Sequence, residues 1–393
     1  MLNKNLVILS LSQIFSFAAA PITVFLSGII GSQISPVISL STLPMSISVV
    51  GIAIGAVIAT KIMSLIGRKA GFISASFGNS LVSILAAYSI MDQNFILFCT
   101  ANFFLGVGMA FTHQYRFAAA ESVDNENIPK AISIILLGGI ISAFLGPGVA
   151  NYSKDIISDQ LYVGSYLSLS ILTFVPVLFF LFYENKVKLK NNIKYSGRSY
   201  LELISQPRFL QAMIASAFGY AIMTFLMTAT PLSMHVMEKM SLDKTSMVIQ
   251  FHVASMFLPS LLTGNLIKKF GHSLVMYAGV FLYGVTIFIS LFDQTFFNYM
   301  FALIFLGLGW NFLFISGTSL LVLCYKDEEK YKAQGLNDFL VYSVHATGSL
   351  SAGILIVLTN WKIMNILCIP LLVIIILTII RADLNQKKLI NLN

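Results

Sequence analysis

Long apolar runs, separated by short polar interruptions, make up most of this 393-residue chain. Many of these runs reach the roughly 20 residues that a helix needs to cross a bilayer. Strands of a membrane barrel would alternate apolar and polar residues over about 10 positions, and stretches such as 371–380, LLVIIILTII, do not alternate. Because lipid offers the backbone no hydrogen-bond partner, the runs must be helices. The pattern predicts an all-α polytopic membrane protein.

The apolar runs form two sets of six, separated by the longest polar interruption, 184–207. We therefore expect an N-terminal six-helix bundle over 1–183, a cytoplasmic linker over 184–207 and a C-terminal six-helix bundle over 208–393. The first run continues past the small residues 18–20, which favours an uncleaved helix over a signal peptide. The predicted spans are 5–31, 35–60, 70–91, 95–119, 128–151, 160–183, 208–235, 245–266, 273–292, 296–323, 332–358 and 361–380.

Composition and charge place these helices in a cytoplasmic membrane. Only 10% of the residues are charged, against about 25% in a soluble domain. With the N-terminus inside, nineteen of the 24 lysines and arginines lie in cytoplasmic segments, so the positive-inside rule predicts that both termini are cytoplasmic. The net charge of +8 is dispersed over these segments. It indicates contact with anionic membrane lipids and gives no reason to expect nucleic acid.

One phrase occurs twice, as FLGVGMAF over 104–111 and as FLGLGWNF over 305–312. A second echo follows the second and eighth spans, as TKIMSLIGR over 60–68 and GNLIKKFGH over 264–272. Matches at corresponding span numbers predict two homologous halves, related as the parallel repeats of some transporters are. The glycines of the phrase would thin the fourth and tenth helices so that their neighbours approach closely.

These motifs give the chain a family resemblance. The loop over 60–69 is similar to the signature Gly-x-x-x-Asp-x-x-Gly-Arg-Lys/Arg of the major facilitator superfamily, with Gly67 and Arg68 retained and Ser64 in the acidic position. The chain therefore resembles a major facilitator superfamily transporter along its whole length. The resemblance implies two pseudo-symmetric six-helix bundles around a central cavity, and a cytoplasmic loop that latches them. With the aspartate absent, Arg68 is expected to pair with Glu121.

A motif in the fifth span bears on the direction of transport. SAFLGPGVAN over 142–151 is similar to a Gly-x-x-x-Gly-Pro-x-x-Gly-Gly motif that is associated with exporters, but it retains only Gly146 and Pro147 intact. Ordinary packing of small residues explains the stretch equally well. Phrases over 248–257 and 334–343 look like a bacterial branch of the superfamily whose substrates are mostly unassigned.

Polar side chains inside the spans are functional candidates by default, because each costs free energy to insert. Arg116, with His113 one turn away, could hold an anionic solute group; alternatively, it reaches the headgroups or pairs with Glu121. Asn311, which stands where the first half has Ala110, could bind solute or form an interhelical hydrogen bond.

Further candidates lie in the eighth and eleventh spans. His252, with Gln250 nearby, suits proton coupling or bridges helices. Asp338, with Asn337, is either a protonatable coupling site or a helix-capping and gating residue.

The family resemblance implies that the first, fourth, seventh and tenth helices line the cavity. Tyr220 and Thr224 share one face of the seventh helix, and Gln13 is the corresponding candidate of the first. The candidate substrate-binding residues are Gln13, His113, Arg116, Tyr220, Thr224, Gln250, His252 and Asn311, and the candidate coupling or gating residues are Arg68, Glu121, Gly146, Pro147, Asn337 and Asp338.

The chain contains no phosphate-binding loop, no metal-ligand spacing and no catalytic constellation, so we expect neither an enzyme nor a cofactor or metal. The sequence predicts a monomeric secondary transporter that moves an amphipathic or weakly anionic small organic solute by alternating access. Proton coupling is expected, which makes it a symporter or antiporter. The alternatives are a multidrug or metabolite exporter of the proton-antiport type and a non-transporting membrane receptor or scaffold.

Overall fold

A computed structural model describes residues 3–37, 40, 43–157, 161–185 and 197–391, and within these ranges the chain is helical with short connections. The helices are α1 Lys4–Ser16, α2 Ala19–Ile34, α3 Leu43–Met91, α4 Phe95–His113, α5 Tyr115–Ala120, α6 Ile128–Ser153, α7 Val163–Phe180, α8 Tyr200–Ser205, α9 Pro207–Pro231, α10 Leu242–Phe257, α11 Ser260–Phe270, α12 His272–Ser290, α13 Phe296–Val322, α14 Lys330–Leu358, α15 Trp361–Ile366 and α16 Ile369–Asn391.

Ten helical stretches within the described ranges are long and apolar enough to cross a membrane, judged by length and composition. One of them is α3, whose 49 residues include a non-helical Gly67, so it covers the second and third predicted spans. Helix α14 has 29 residues but is not among the ten. Together these helices fall on the twelve predicted spans, and the predicted all-α fold is confirmed.

The chain packs as two compact units. Unit 1 comprises Met1–Asp124, Ile134–Lys194 and Gln334–Tyr342, and unit 2 comprises Asn125–Ser133, Tyr195–Ala333 and Ser343–Asn393. Unit 1 thus takes up 334–342, near the start of α14, and unit 2 takes up 125–133, at the start of α6. The candidate residues Asn337 and Asp338 therefore belong to unit 1, although they are encoded in the second half of the chain.

The repeat is visible in the backbone. Gly67 breaks α3 with φ 84° and ψ 168°, and Gly271 separates α11 from α12 with φ 81° and ψ 165°. Residues with a Cβ rarely adopt this conformation, so glycine is required at both turns. The two glycines lie 204 positions apart, which is the offset that the loop sequences predicted.

The repeated phrase packs in the same way in both units. A methyl group at Gly106 of α4 would collide with the carbonyl oxygen of Ser48 on α3. In unit 2, a methyl group at Gly307 of α13 would lie 2.7 Å from the carbonyl oxygen of His252 on α10. Ser48 and His252 are also 204 positions apart. Each pair of helices thus approaches closely enough that only glycine fits, as the small-residue pattern predicted.

Candidate functional site

A one-residue break in the fourth predicted span positions the polar side chains of unit 1. Helix α4 ends at His113, Gln114 caps it, and α5 begins at Tyr115. The break directs Gln114 and Arg116 toward the first turns of α14, where both side chains contact Asp338.

Arg116 and Asp338 form a buried ion pair. Arg116 Nη2 donates to Asp338 Oδ1, and the two residues are 3% and 0% exposed. Two amides complete the shell of the carboxylate. Gln114 Nε2 donates to Oδ2 at 2.7 Å, and Asn337 Nδ2 donates to Oδ1 at 3.0 Å. A buried ion pair needs such additional hydrogen bonds to offset the desolvation of its two charges.

A second ion pair adjoins the first. Arg68 donates to both oxygens of Glu121, from Nε at 2.9 Å and from Nη2 at 2.5 Å. Gln334 of α14 bridges this pair, because its Oε1 accepts from Arg68 Nη2 at 2.7 Å and its Nε2 donates to Glu121 Oε1 at 3.3 Å. The pairing of Arg68 with Glu121 is the one that the sequence suggested.

Gln114 links the two ion pairs into one network. Its Oε1 accepts from Arg68 Nη1 at 3.4 Å, while its Nε2 binds Asp338. The network holds two cations and two carboxylates, so its formal charge is zero. We refer to it below as the unit 1 polar network, and it consists of Arg68, Gln114, Arg116, Glu121, Gln334, Asn337 and Asp338.

Close backbone packing brings α14 to this network. A methyl group at Gly335 would lie only 2.6 Å from Thr60 Oγ1 on α3. Glycine therefore lets the first turns of α14 approach α3 and carry Gln334 and Asp338 to the two arginines.

The other candidates of unit 1 lie outside the network. The half-buried ring of His113 lies 4.6 Å from the ring of Tyr342, centroid to centroid. Gln13 is buried against α6, with its Cγ 3.1 Å from where a Cβ of Gly138 would stand. Gly146 lies against the first turns of α2, where a Cβ would be 2.9 Å from the carbonyl oxygen of Ala18. The side chain of Pro147 lies outside the described part of the chain.

In unit 2, Asn311 ties α13 to α10 and α11. Its Nδ2 donates to Met256 O and Ser260 Oγ, each at 2.7 Å, and its Oδ1 accepts from Thr263 Oγ1 at 2.6 Å. The first half has alanine at all three side-chain positions of this cluster: Ala56, Ala59 and Ala110. The two halves therefore differ at three positions that together form one hydrogen-bonded cluster in unit 2. The Asn311 amide makes hydrogen bonds between helices, as one of the two interpretations of the sequence expected.

The two candidates of α10 differ in their surroundings. His252 is fully buried, and its Nδ1 lies 2.7 Å from the carbonyl oxygen of Leu303 on α13. Gln250 is exposed on the same helix. The histidine therefore bridges α10 and α13.

Tyr220 and Thr224 of α9 lie in an aromatic region of unit 2. The ring of Tyr220 stacks on His345 of α14 at a centroid distance of 4.7 Å and contacts the edge of Trp310 at 5.4 Å. Thr224 follows one turn later on the same face and is buried.

The chain matches one known protein family over almost its whole length. Residues 6–260 and 239–390 match the profile of the Major Facilitator Superfamily. The chain belongs to the Major Facilitator Superfamily. This confirms the resemblance that the loop signature and the repeat indicated.

Superfamily relatives in bacteria span nearly the full length of the chain. The riboflavin transporter RfnT of Brucella anthropi is 34% identical over 379 residues, covering 96% of this chain and 95% of RfnT. YdeG of Bacillus subtilis, named as an uncharacterized MFS-type transporter, is 26% identical and covers 94% of this chain and 91% of its own length.

A solved superfamily structure has the same fold. The human organic anion transporter MFSD10 superposes with a TM-score of 0.76, over 96% of this chain and 99% of that one, at 12% sequence identity. At that identity the likeness establishes the fold of the superfamily and nothing about the solute.

Sequence reasoning missed three residues of these regions. Gln114 and Gln334 are amides inside predicted spans 4 and 11, and the insertion cost that singled out Asn311 applies equally to them. Trp310 replaces Met109 within the repeated phrase, next to the Asn311 substitution. Comparing every position of the repeat, rather than one, would have found it. In a superfamily of repeated halves, positions at which the two copies of a repeated phrase differ are therefore candidates for a function found in one half only.

Proposed function

We propose that this chain transports riboflavin, or a flavin with the same ring system, across the cytoplasmic membrane. The observation that supports this is its 34% identity to the riboflavin transporter RfnT, over almost the whole length of both proteins. Riboflavin is amphipathic, with a planar three-ring system and a polyol chain, and so agrees with the class of solute that the sequence suggested. We assign the protein no catalytic step.

The charge balance of unit 1 supports a neutral solute. Arg116 was the best candidate for holding an anion, but its charge faces Asp338 within a buried pair. An anion at Arg116 would have to displace that carboxylate and leave it buried without a partner. We therefore narrow the amphipathic or weakly anionic solute to a neutral one.

We further propose transport by alternating access with proton coupling, and assign gating to the unit 1 polar network. A proton on Asp338 would remove the negative charge that faces Arg116, and a proton on Glu121 would do the same for Arg68. Either event would weaken the contacts that hold the first turns of α14 against α3, α4 and α5. Asp338 is thus a candidate coupling residue. We expect the protein to act as a monomer, with both termini in the cytoplasm.

Counterflow tests the solute directly. Purified protein in liposomes loaded with unlabelled riboflavin should accumulate radiolabelled riboflavin from outside, whereas protein-free liposomes should not. Unlabelled riboflavin outside should compete, and free ribitol should not. Absence of counterflow with any flavin would contradict the proposal and would leave a receptor or scaffold as the better interpretation, and counterflow of the anionic phosphorylated forms alone would overturn the neutral solute.

Two further experiments test proton coupling and the direction of transport separately from the identity of the solute. Imposing a pH gradient of either polarity should change the rate of net flux; counterflow with no response to either gradient removes proton coupling but keeps riboflavin transport. Comparing inside-out with right-side-out vesicles under the same gradient distinguishes uptake from the export that the Gly146-Pro147 stretch suggested.

A further inference from the structure

Unit 2 contains a compact aromatic cluster, which we name by its four rings: Tyr220 of α9, Trp310 and Phe314 of α13, and His345 of α14. Trp310 and Phe314 stack at 4.8 Å with an interplanar angle of 13°, and Tyr220 and His345 stack at 4.7 Å with an angle of 29°. The ring of Tyr220 meets both α13 rings edge-on, at 5.4 and 5.5 Å. The cluster therefore consists of two stacked pairs at right angles to each other.

The two pairs differ in exposure. Trp310 and Phe314 are buried, at 2% and 3% exposed, whereas Tyr220 and His345 are both half-buried. Part of the surface of the stacked pair of Tyr220 and His345 is therefore exposed, whereas the stacked pair of α13 is covered.

Two buried polar atoms beside the cluster have no hydrogen-bond partner among the residues that the structure describes. These are the indole Nε1–H of Trp310 and the hydroxyl of Thr224. A buried indole N–H normally finds an acceptor, and leaving it unmade carries a desolvation penalty. Buried helical threonines commonly bond a carbonyl one turn back, as Thr230 does to Leu226 at 2.8 Å, but Thr224 does not. Both groups therefore retain hydrogen-bonding capacity that no described residue uses.

We propose that this cluster is the subsite for the flavin ring system. The planar ring stacks against the pair formed by Tyr220 and His345, the Trp310 N–H donates to a ring carbonyl, and the Thr224 hydroxyl bonds a ring nitrogen or carbonyl. This inference rests on the proposed transport of riboflavin and goes beyond it, because it assigns recognition of the ring, rather than of the polyol chain, to four named residues of unit 2.

The chemistry favours the ring over the polyol. A flavin ring offers two large faces for stacking and several acceptors along one edge, and the cluster supplies faces and an orphaned donor in return. A polyol chain presents hydroxyls and has no aromatic face to stack on these rings. The amide nearest in sequence, Asn311, already makes its three hydrogen bonds to α10 and α11.

The test is binding of riboflavin and of lumiflavin, which has the flavin ring without the polyol, to purified full-length protein. Quenching of flavin fluorescence reports stacking directly. Trp310→Phe removes the N–H and keeps an aromatic ring, Thr224→Val removes the hydroxyl, and Tyr220→Leu removes a stacking face. Phe288→Leu is the matched control, because it deletes a ring from an exposed pair with Phe292 elsewhere in unit 2.

Tyr220→Leu should weaken both ligands by about 5–30-fold, as the loss of one aromatic contact does. Trp310→Phe should weaken both by about 3–10-fold through the loss of one hydrogen bond. The factor should be the same for riboflavin and lumiflavin within each variant, and Phe288→Leu should bind both ligands as the unmodified protein does.

The outcomes separate the two proposals. If the unmodified protein moves riboflavin but Trp310→Phe and Thr224→Val bind lumiflavin with unchanged affinity, the subsite is wrong and the proposed function stands. If the variants lose riboflavin but keep lumiflavin, the cluster holds the polyol and the assignment is overturned. If the unmodified protein neither binds nor moves any flavin, the proposed function itself has failed. Should Tyr220→Leu not fold, the two conservative variants still decide between these outcomes.

Discussion

Replacing Asp338 by asparagine isolates the role of its charge, because asparagine keeps nearly the same shape. Gln114 could still donate to the new amide oxygen, so the main loss is the counterion of Arg116, which is only 3% exposed. Removing one partner of a buried ion pair leaves an uncompensated charge and typically costs about 3–5 kcal/mol. We expect Asp338→Asn to lower the apparent unfolding temperature strongly and to reduce the amount of protein in the membrane.

The double variant Arg116→Gln with Asp338→Asn should recover most of this stability, because it removes both buried charges together. Replacing a buried pair by neutral groups is often close to neutral in free energy, so we expect a favourable coupling between the two substitutions of about 2–4 kcal/mol. Thermal unfolding in detergent of the unmodified protein, both single variants and the double variant measures this coupling. Riboflavin counterflow with the same samples measures function.

An exposed ion pair of the same unit provides the control. Lys4 and Glu184 lie 2.6 Å apart with side chains 57% and 71% exposed, and water and salt screen such a pair so that it contributes little to stability. Glu184→Gln should therefore leave unfolding almost unchanged. If Asp338→Asn unfolds like Glu184→Gln, or if the double variant is no better than the single one, the buried-charge argument is refuted. A stable double variant that no longer responds to a pH gradient would assign proton coupling to the pair.

Three other perturbations follow from unit 2. Gly271→Ala has open space for its methyl group but an unfavourable backbone conformation, so it should cost about 1–3 kcal/mol, measured by thermal unfolding; no change would mean that the loop relaxes freely. Asn311→Ala should lower stability by about 1–2 kcal/mol, because interhelical bonds average about 0.6 kcal/mol each, and should leave the riboflavin KM unchanged; a raised KM would return Asn311 to the solute site. A hydrogen bond from Arg198 lowers the pKa of Glu329 to about 2, so this pair stabilises the fold fully above about pH 4.5 and less as pH falls toward 2. Arg198→Gln should therefore flatten the pH dependence of unfolding between pH 5 and 2.5, and parallel curves for both proteins would exclude the effect.

Periodicity and spacing predict most of the fold. The twelve spans follow from the length of the apolar runs, and the repeat identifies which helices pack alike, down to the glycine turns at 67 and 271. The pairing of Arg68 with Glu121 could be anticipated, because the absent aspartate of the loop left Arg68 without its usual partner and Glu121 is the acid just after the end of the fourth span.

The partner of Arg116 could not be predicted in the same way. Asp338 lies 222 positions away on a helix of the other half, and hydropathy carries no information about which helix ends meet. The deciding contact is the packing of Gly335 on Thr60, which depends on backbone geometry. Trp310 differs, because a full comparison of the two copies of the repeated phrase singles it out, although its ring contacts follow only from packing.

The electrical neutrality of the unit 1 polar network has a consequence for transport under a membrane potential. Carrying one elementary charge across 100 mV changes the free energy by about 2.3 kcal/mol, whereas a group with two positive and two negative side chains has no net charge for the potential to act on. Voltage therefore does no net work when the network moves as one body. When a single proton binds Asp338 or Glu121, the net charge of the network becomes +1. Only the protonated network is then sensitive to the membrane potential.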